Sequence, residues 1–251
     1  MVTHRPARRD DFSGLPAVVA PRLLGALLHT SLPDGDVTVR ITEVEAYHGL
    51  GSGDVADPGS HARMGPTARN ATMWGEAGHL YVYLSHGIHS CVNVVCGPVG
   101  RGDGILLRAG EIVEGAEVAR RRREARGVAR TDRDLARGPG RLGDAVGLRH
   151  ARHDGIDAVT GADQGDAIAR LHLFERPLAE IATGPRVGVA GIAGTDAFPW
   201  RFWIPGDPTV SAFRPGRGAA EVGALPHGHS TRRILDGRSL RPEGPRPGVL
   251  G

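Results

Sequence analysis

The 251 residues contain no lysine; all 31 basic side chains are arginine. With no side-chain amine, the chain offers no lysine nucleophile for a Schiff base. Cysteine is scarce as well. Cys91 and Cys96, both in the run CVNVVC, are too few for a closed four-cysteine zinc site, and such sparse usage fits an intracellular, cytoplasmic protein. No apolar run approaches the roughly 18 residues that a membrane span requires. The opening MVTHRPARRDDF lacks the apolar centre of a secretory signal. Aromatic residues make up 4%, with three tyrosines in all, so the position of each tyrosine carries information.

What is abundant is glycine, at 38 residues, alongside 18 prolines, while hydrophobic residues reach 40%. That composition supports one globular domain with many turns. The formal net charge is +3. From Arg214 onward the chain holds seven arginines, three acids and 13 glycines or prolines, which leaves the preceding part close to neutral. Residues 1–213 therefore read as the folded domain and 214–251 as a disordered Gly/Pro/Arg-rich tail. Bulk charge gives no case for nucleic-acid binding; a site must supply it.

Periodicity places the elements. Leu15–Leu28 is apolar enough for a helix interrupted at Pro21. Val37–Tyr47 alternates as a strand, with Val37, Val39, Ile41, Glu43, Glu45 and Tyr47 on one face. A face that begins apolar and ends in two carboxylates and a tyrosine runs from core into cleft. His48–Thr72 shows no period and is long for a structureless connection. Leu80–Leu84, Ile88–Cys96 and Ile105–Ile112 read as strands joined by Ser85-His86-Gly87 and by GPVGRGDG. Helices are expected in Glu114–Arg126 and, broken by GPG, in Asp134–Leu148. Arg170–Phe174 and Pro185–Val189 read as short strands, and PWRFWI concentrates aromatic mass.

Glu45, two residues after Glu43 on the same face, is the sharpest chemical feature: a carboxylate beside a cleft can deprotonate water or stabilise a cationic transition state. A solvated strand-end pair is the competing reading. His61 alone in a glycine-rich loop does not make a metal site. Tyr81 and Tyr83 share a face; ordinary packing explains such a pair, while a tyrosine platform beside a carboxylate would suit a flat π-ligand. The Arg120–Arg123 run wraps around a helix and reads as a solvated face. Gly51-Ser52-Gly53 lacks the flanking strand and helix of a dinucleotide loop.

Taken in order, ITEVEAYHG, SHARMGPTARN, GHLYVYLSHGIHSCVNVV, GILLRAGEIVEG, RGPGRL, GPRVGV and PWRFWIPGDPTVS resemble the alkyladenine (3-methyladenine) DNA glycosylase family of the mammalian, monofunctional type. The resemblance runs from about Leu15 to Ser211. It implies an α+β fold: a single mixed domain on a curved, mostly antiparallel sheet, with surrounding helices and a protruding β-hairpin. It implies a monomeric base-excision-repair enzyme of the cytoplasm and bacterial nucleoid that binds double-stranded DNA. Such an enzyme flips an alkylated purine and hydrolyses its N-glycosidic bond without a cofactor or metal. By the same resemblance Glu45 activates water and Arg108 sits near it, while Tyr47, His61 and Tyr83 contact the flipped base. Asn93 screens purines by their exocyclic groups. His86 stands where relatives carry an intercalating tyrosine. 3-Methyladenine is the expected lesion, with 7-methylguanine, hypoxanthine and ethenoadenine as further candidates.

Two rivals remain at this point. A carbohydrate hydrolase could use Glu43 and Glu45 as paired acid and base, although two carboxylates on one strand face flank a bond awkwardly. A non-catalytic binder of damaged DNA would leave Glu45 merely structural.

Overall fold

The period-two stretches pair into one curled antiparallel sheet within a single mixed α+β domain; the structure, a computed structural model, describes residues 3–219. The strands are β1 (His4–Pro6), β2 (Leu27–Leu32), β3 (Gly35–Tyr47), β4 (His79–Ser85), β5 (His89–Cys96) and β6 (Asp103–Glu114). They continue as β7 (Ala136–Arg137), β8 (Ile156–Asp157), β9 (Ile168–Phe174), β10 (Ala182–Gly184) and β11 (Arg201–Trp203). The main path runs β1-β9-β2-β3-β6-β5-β4-β8, with β7 on β6 and the β10–β11 pair joined to β3 through β11. Four helices accompany the sheet: α1 (Pro16–Val19), α2 (Ala116–Glu124), α3 (Pro139–Val146) and α4 (His150–His153). Among the described residues no helix is long and apolar enough to cross a membrane.

Alternating apolar positions of the central strands build the core. Val39 and Ile41 of β3, Leu80 and Val82 of β4, Val92 and Val94 of β5, and Ile105 and Leu107 of β6 are fully buried, and Leu142 and Val146 of α3 join the same cluster. Burial of this kind is the main favourable term in folding. On β4, β5 and β6 the other parity is then free to line a cleft. On β3 an extra residue at Thr42 switches the buried set from Val37, Val39 and Ile41 to Val44 and Ala46, so Glu43, Glu45 and Tyr47 do not share the face of Val39 and Ile41 expected from simple alternation.

Register decides which side chains meet there. Arg201 lies opposite Glu45, Glu45 opposite Leu106, Leu106 opposite Asn93, and Asn93 opposite Tyr81. Residues directly opposite in a ladder share a face, so five strands, β11, β3, β6, β5 and β4, project one row across the sheet. Steps of two add Tyr47, Tyr83 and Cys91 to that face. Between β3 and β6 the pairing slips locally: Glu43 pairs with Ala109 and Val44 with Leu107, so Arg108 falls outside the ladder. An irregularity of this kind re-aims a side chain, and here it turns the guanidinium toward β3.

Several sequence expectations are corrected. Leu15–Leu28 is not one interrupted helix. α1 passes at once into a 3-10 turn over Ala20–Leu23, Leu24 is extended, and Leu27 already belongs to β2. Pro21, without an N–H, favours the tighter turn. Pro185–Val189 is not a strand; pairing ends at Gly184, before a proline that cannot donate to a ladder. The Arg120–Arg123 run is not a solvated face. Arg122 and Arg123 are buried. Arg122 forks onto Asp34 at 2.8 and 2.5 Å and Arg123 reaches Asp144 at 3.3 Å. Arg214–Ala219, assigned from sequence to the tail, lies against the main body: Arg214 O accepts from Gly188 N–H, Arg217 O from Gly191 N–H, and Ala219 is buried. The remainder of that tail lies outside the described residues.

Asp144 has no exposed surface and faces Arg123, Arg126 and Arg149 at 3.3, 3.5 and 2.5 Å. Removing one partner of a buried pair strands the other charge and costs about 3–5 kcal/mol. Asp144→Asn should therefore destabilise by at least ~2 kcal/mol in urea unfolding, against under ~1 kcal/mol for exposed Arg121→Ala. Equal effects would contradict this reading of the helix.

Candidate active site

The seven residues that the resemblance assigns to the site, Glu45, Tyr47, His61, Tyr83, His86, Asn93 and Arg108, line one cavity of about 650 Å³, together with Tyr81 but without Glu43. Its floor is the polar row of β3, β6, β5 and β4. One wall is the His48–Thr67 loop, the other the segment Val187–Ala190, and the β4–β5 hairpin stands at the mouth.

The two glutamates have different surroundings. Both are fully buried, but Glu43 does not line the cavity and its oxygens are taken by β11, β6 and Ser211. Oε1 accepts from Arg201 Nε at 2.6 Å and from Ser211 Oγ at 3.0 Å, and lies 3.1 Å from Arg108 Nε; Oε2 accepts from the Ser211 amide at 2.8 Å. Glu45 lies at the cavity floor. Its Oε1 accepts from the Val187 amide at 2.7 Å and is 3.5 Å from Arg108 Nη1, and its Oε2 accepts from Tyr47 Oη at 2.9 Å. Burial, and then the Glu45 carboxylate, push the Tyr47 phenol well above its ordinary value. The phenol is thus protonated at neutral pH, and the direction of that hydrogen bond is fixed.

Aromatic faces enclose the space above Glu45. Tyr81 and Tyr83 stack with centroids 5.5 Å apart, and His61 meets Tyr83 edge-on at 4.6 Å. Burial pushes Tyr81 up to about 12 and Tyr83 higher still, so both are neutral phenols. His61 keeps an exposed edge, but its packed surroundings, then Arg69 and Arg63, lower its pKa. Cys91 completes this wall, and burial lifts its thiol to about 11. A thiol at that value is protonated at neutral pH and is a poor nucleophile. Asn93 donates through Nδ2 to Tyr81 O at 3.1 Å, which fixes its amide plane.

Sequence reasoning missed the groups that hold these in place. Arg186 is fully buried, forks onto Asp57 with two 2.7 Å bonds, donates to Ala46 O and Ala193 O, and lies 4.5 Å under the Tyr47 ring. It thereby ties the long loop to the end of β3 and backs Tyr47. Asn70 fixes the His61 loop, donating to His61 O and Gly65 O while Oδ1 accepts from Thr67 N and Trp74 Nε1. Neither residue type signals such a role; the GPRVGV block was the sole hint at Arg186.

The hairpin loop is three residues, 86–88, between the paired Ser85 and His89. His86 (φ 49°) and Gly87 (φ 71°) both have positive φ, and Ile88 N–H bonds Ser85 O at 3.0 Å. This is the arrangement that twists correctly into its strands. His86 is exposed at the apex. His89 is also exposed, but its ring lies over Gly140 of α3, where an added Cβ would meet it at 2.7 Å. Among the described residues no group of three or more His, Cys, Asp or Glu is placed to hold a metal ion.

A comparison with protein families matches residues 10–208 to Methylpurine-DNA glycosylase. A protein of Leifsonia xyli subsp. xyli, named "Putative 3-methyladenine DNA glycosylase", is 50% identical over 214 residues, covering 85% of this chain and 95% of its own. Under the same name, a Streptomyces avermitilis protein is 48% identical over 209 residues, 83% and 92% of the two chains. A third, from Nocardia farcinica, is 50% identical over 200 residues, 79% and 87%.

The lowered His61 value gives a direct check. Side-chain NMR should find its midpoint below the ~6.5 of an unperturbed histidine, and Arg69→Ala should raise it by removing a nearby positive charge. A midpoint at or above the free value would contradict the described packing.

Proposed function

The chain belongs to the methylpurine-DNA glycosylase family and is a DNA glycosylase of base excision repair; from that premise we propose how its cavity works. It binds double-stranded DNA as a monomer and receives a flipped alkylated purine, 3-methyladenine foremost. It hydrolyses the N-glycosidic bond without cutting the strand. 7-Methylguanine, hypoxanthine and ethenoadenine are further candidate lesions.

The observation that carries this reading is the division between the glutamates. Glu43 is saturated by Arg201, Arg108 and Ser211, while Glu45 opens onto the aromatic cavity. A paired acid–base glycosidase needs both carboxylates available at the bond, and this site offers one. As the bond lengthens, positive charge grows on C1′ of the sugar, and a carboxylate beside it stabilises that charge. Glu45 then takes a proton from water as its oxygen adds to C1′. The purine leaves with the electron pair of the broken bond; a 3-methyladenine that was cationic in the nucleotide departs neutral. Arg108, anchored through Ser211 Oγ at 3.1 Å, orients the water and Glu45.

The surrounding groups suit such a base. Tyr47, Tyr83 and a neutral His61 offer π-faces without positive charge, which favours a cationic ring. Arg186 behind Tyr47 has its charge offset by Asp57. Asn93, held by Tyr81 O, screens the exocyclic edge. Arg63 and Arg69 at the rim donate to the backbone carbonyls Ser60 O and Leu84 O; their remaining N–H groups suit phosphates. His86 wedges into the duplex and occupies the gap left by the flipped nucleotide.

One set of variants tests these roles on a duplex holding a single 3-methyladenine. Glu45→Gln should slow single-turnover base release by about a thousandfold with lesion affinity within about threefold. His86→Ala should weaken binding to an abasic-analogue duplex about fivefold or more, against under about twofold for His89→Ala. Glu45→Gln activity within tenfold of the parent, or a silent His86 beside a crippling His89, would refute the corresponding role.

A further inference from the structure

The C-terminal end of the described chain touches the site at two separate points. At the first, Ser211 bonds Glu43 through both its amide and its hydroxyl, and the same hydroxyl accepts from Arg108 Nε. Ser211 O also accepts from Arg201 Nη2 at 2.8 Å. At the second, Gly188 N–H bonds Arg214 O at 2.8 Å and Gly191 N–H bonds Arg217 O at 2.9 Å. Those bonds fix the wall segment whose preceding amide, Val187, donates to Glu45. Contact there is close: a Cβ at Gly216 would lie 2.0 Å from Val189 O and 2.2 Å from its carbonyl carbon. Residues 212–217 lie beyond both the family match, which ends at residue 208, and the motif that ends at Ser211.

We infer that Ser211–Arg217 is a positioning strap for the reaction, with Ser211 orienting Arg108 and Gly216 allowing the close contact that holds the Val187 amide on Glu45. The strap touches neither base nor sugar. It acts on the carboxylate from both sides, through Arg108 at one end and through the Val187–Gly191 wall at the other. Two successive amides divide the work: Val187 serves Glu45 and Gly188 serves the strap. Neither contact requires a charged side chain of the strap itself.

The inference rests on the reading of Glu45 as the water-activating base, and the test separates the two. In the full-length protein, Gly216→Ala forces a backbone clash that no side-chain movement relieves. It should slow single-turnover base release about tenfold or more, keep abasic-analogue affinity within about threefold, and speed hydrogen exchange at the Val187 and Gly188 amides. Ser211→Ala should slow release about fivefold or more, and Ser211→Thr, which keeps the hydroxyl, should restore most of it. Gly206→Asn serves as control, because no atom lies within 4 Å of a Cβ there. If Gly216→Ala fails to fold, the Ser211 pair decides. Parent-like release and exchange in both Gly216→Ala and Ser211→Ala would overturn the strap. If the parent itself releases no base, the catalytic reading fails, and the amide exchange alone then supports or overturns the strap.

Discussion

The Glu43 carboxylate, with no surface exposed, is the interaction on which the rest of the site depends. It holds Arg201 from β11, Arg108 from the irregular part of β6, and the amide and hydroxyl of Ser211. A buried charge is tolerated only when paired and hydrogen-bonded. The cost of leaving it unmatched therefore forces three distant segments to meet at one point of β3. Because Glu43 is consumed in this way, Arg108 is steered toward Glu45, two residues further along the same face. One glutamate organises; the other lines the cavity.

A second buried pair, Arg186 with Asp57, does for the loops what Glu43 does for the sheet. The 20-residue stretch 48–67, without regular structure, has little of its own to hold it. Arg186 draws it onto the end of β3 through Asp57 and Ala46 O, and supports the back of Tyr47. The neighbouring Val187 amide then reaches Glu45. The cavity wall, the Tyr47 ring and the Glu45 carboxylate are thus fixed by consecutive residues. The exposed hairpin tip is held more lightly, by Arg126 Nη1 donating to Ile88 O at 3.2 Å.

Much of this was legible in the sequence where the signal was local. Alternation placed β3, β4, β5 and β6, and the parity of Glu43, Glu45 and Tyr47 and of Tyr81 and Tyr83 carried over to one face of the sheet. The family motifs brought Arg108, His61 and Asn93 to the same cavity; composition alone would not have singled them out. What stayed illegible was non-local. Asp57 and Arg186 are 129 residues apart, the Val187 contact uses a backbone amide common to every residue, and Ser211 is one serine among several. Four consecutive arginines looked solvated because their partners, Asp34 and Asp144, lie elsewhere in the chain. Pro185–Val189 looked like a strand because its apolar content is real, although its N–H groups serve Glu45 and Arg214 instead of a ladder.

With Glu45 lining the cavity, Cys91 a protonated thiol and lysine absent from the sequence, attack on the lesion sugar falls to water, not to a protein nucleophile, in the proposed reaction. The most direct test is the identity of the products from a duplex holding one 3-methyladenine under single turnover. Mass analysis should find free 3-methyladenine and a full-length strand bearing an abasic site, with no protein–DNA adduct after borohydride treatment. A cleaved strand, a trapped adduct or an intact lesion would contradict it.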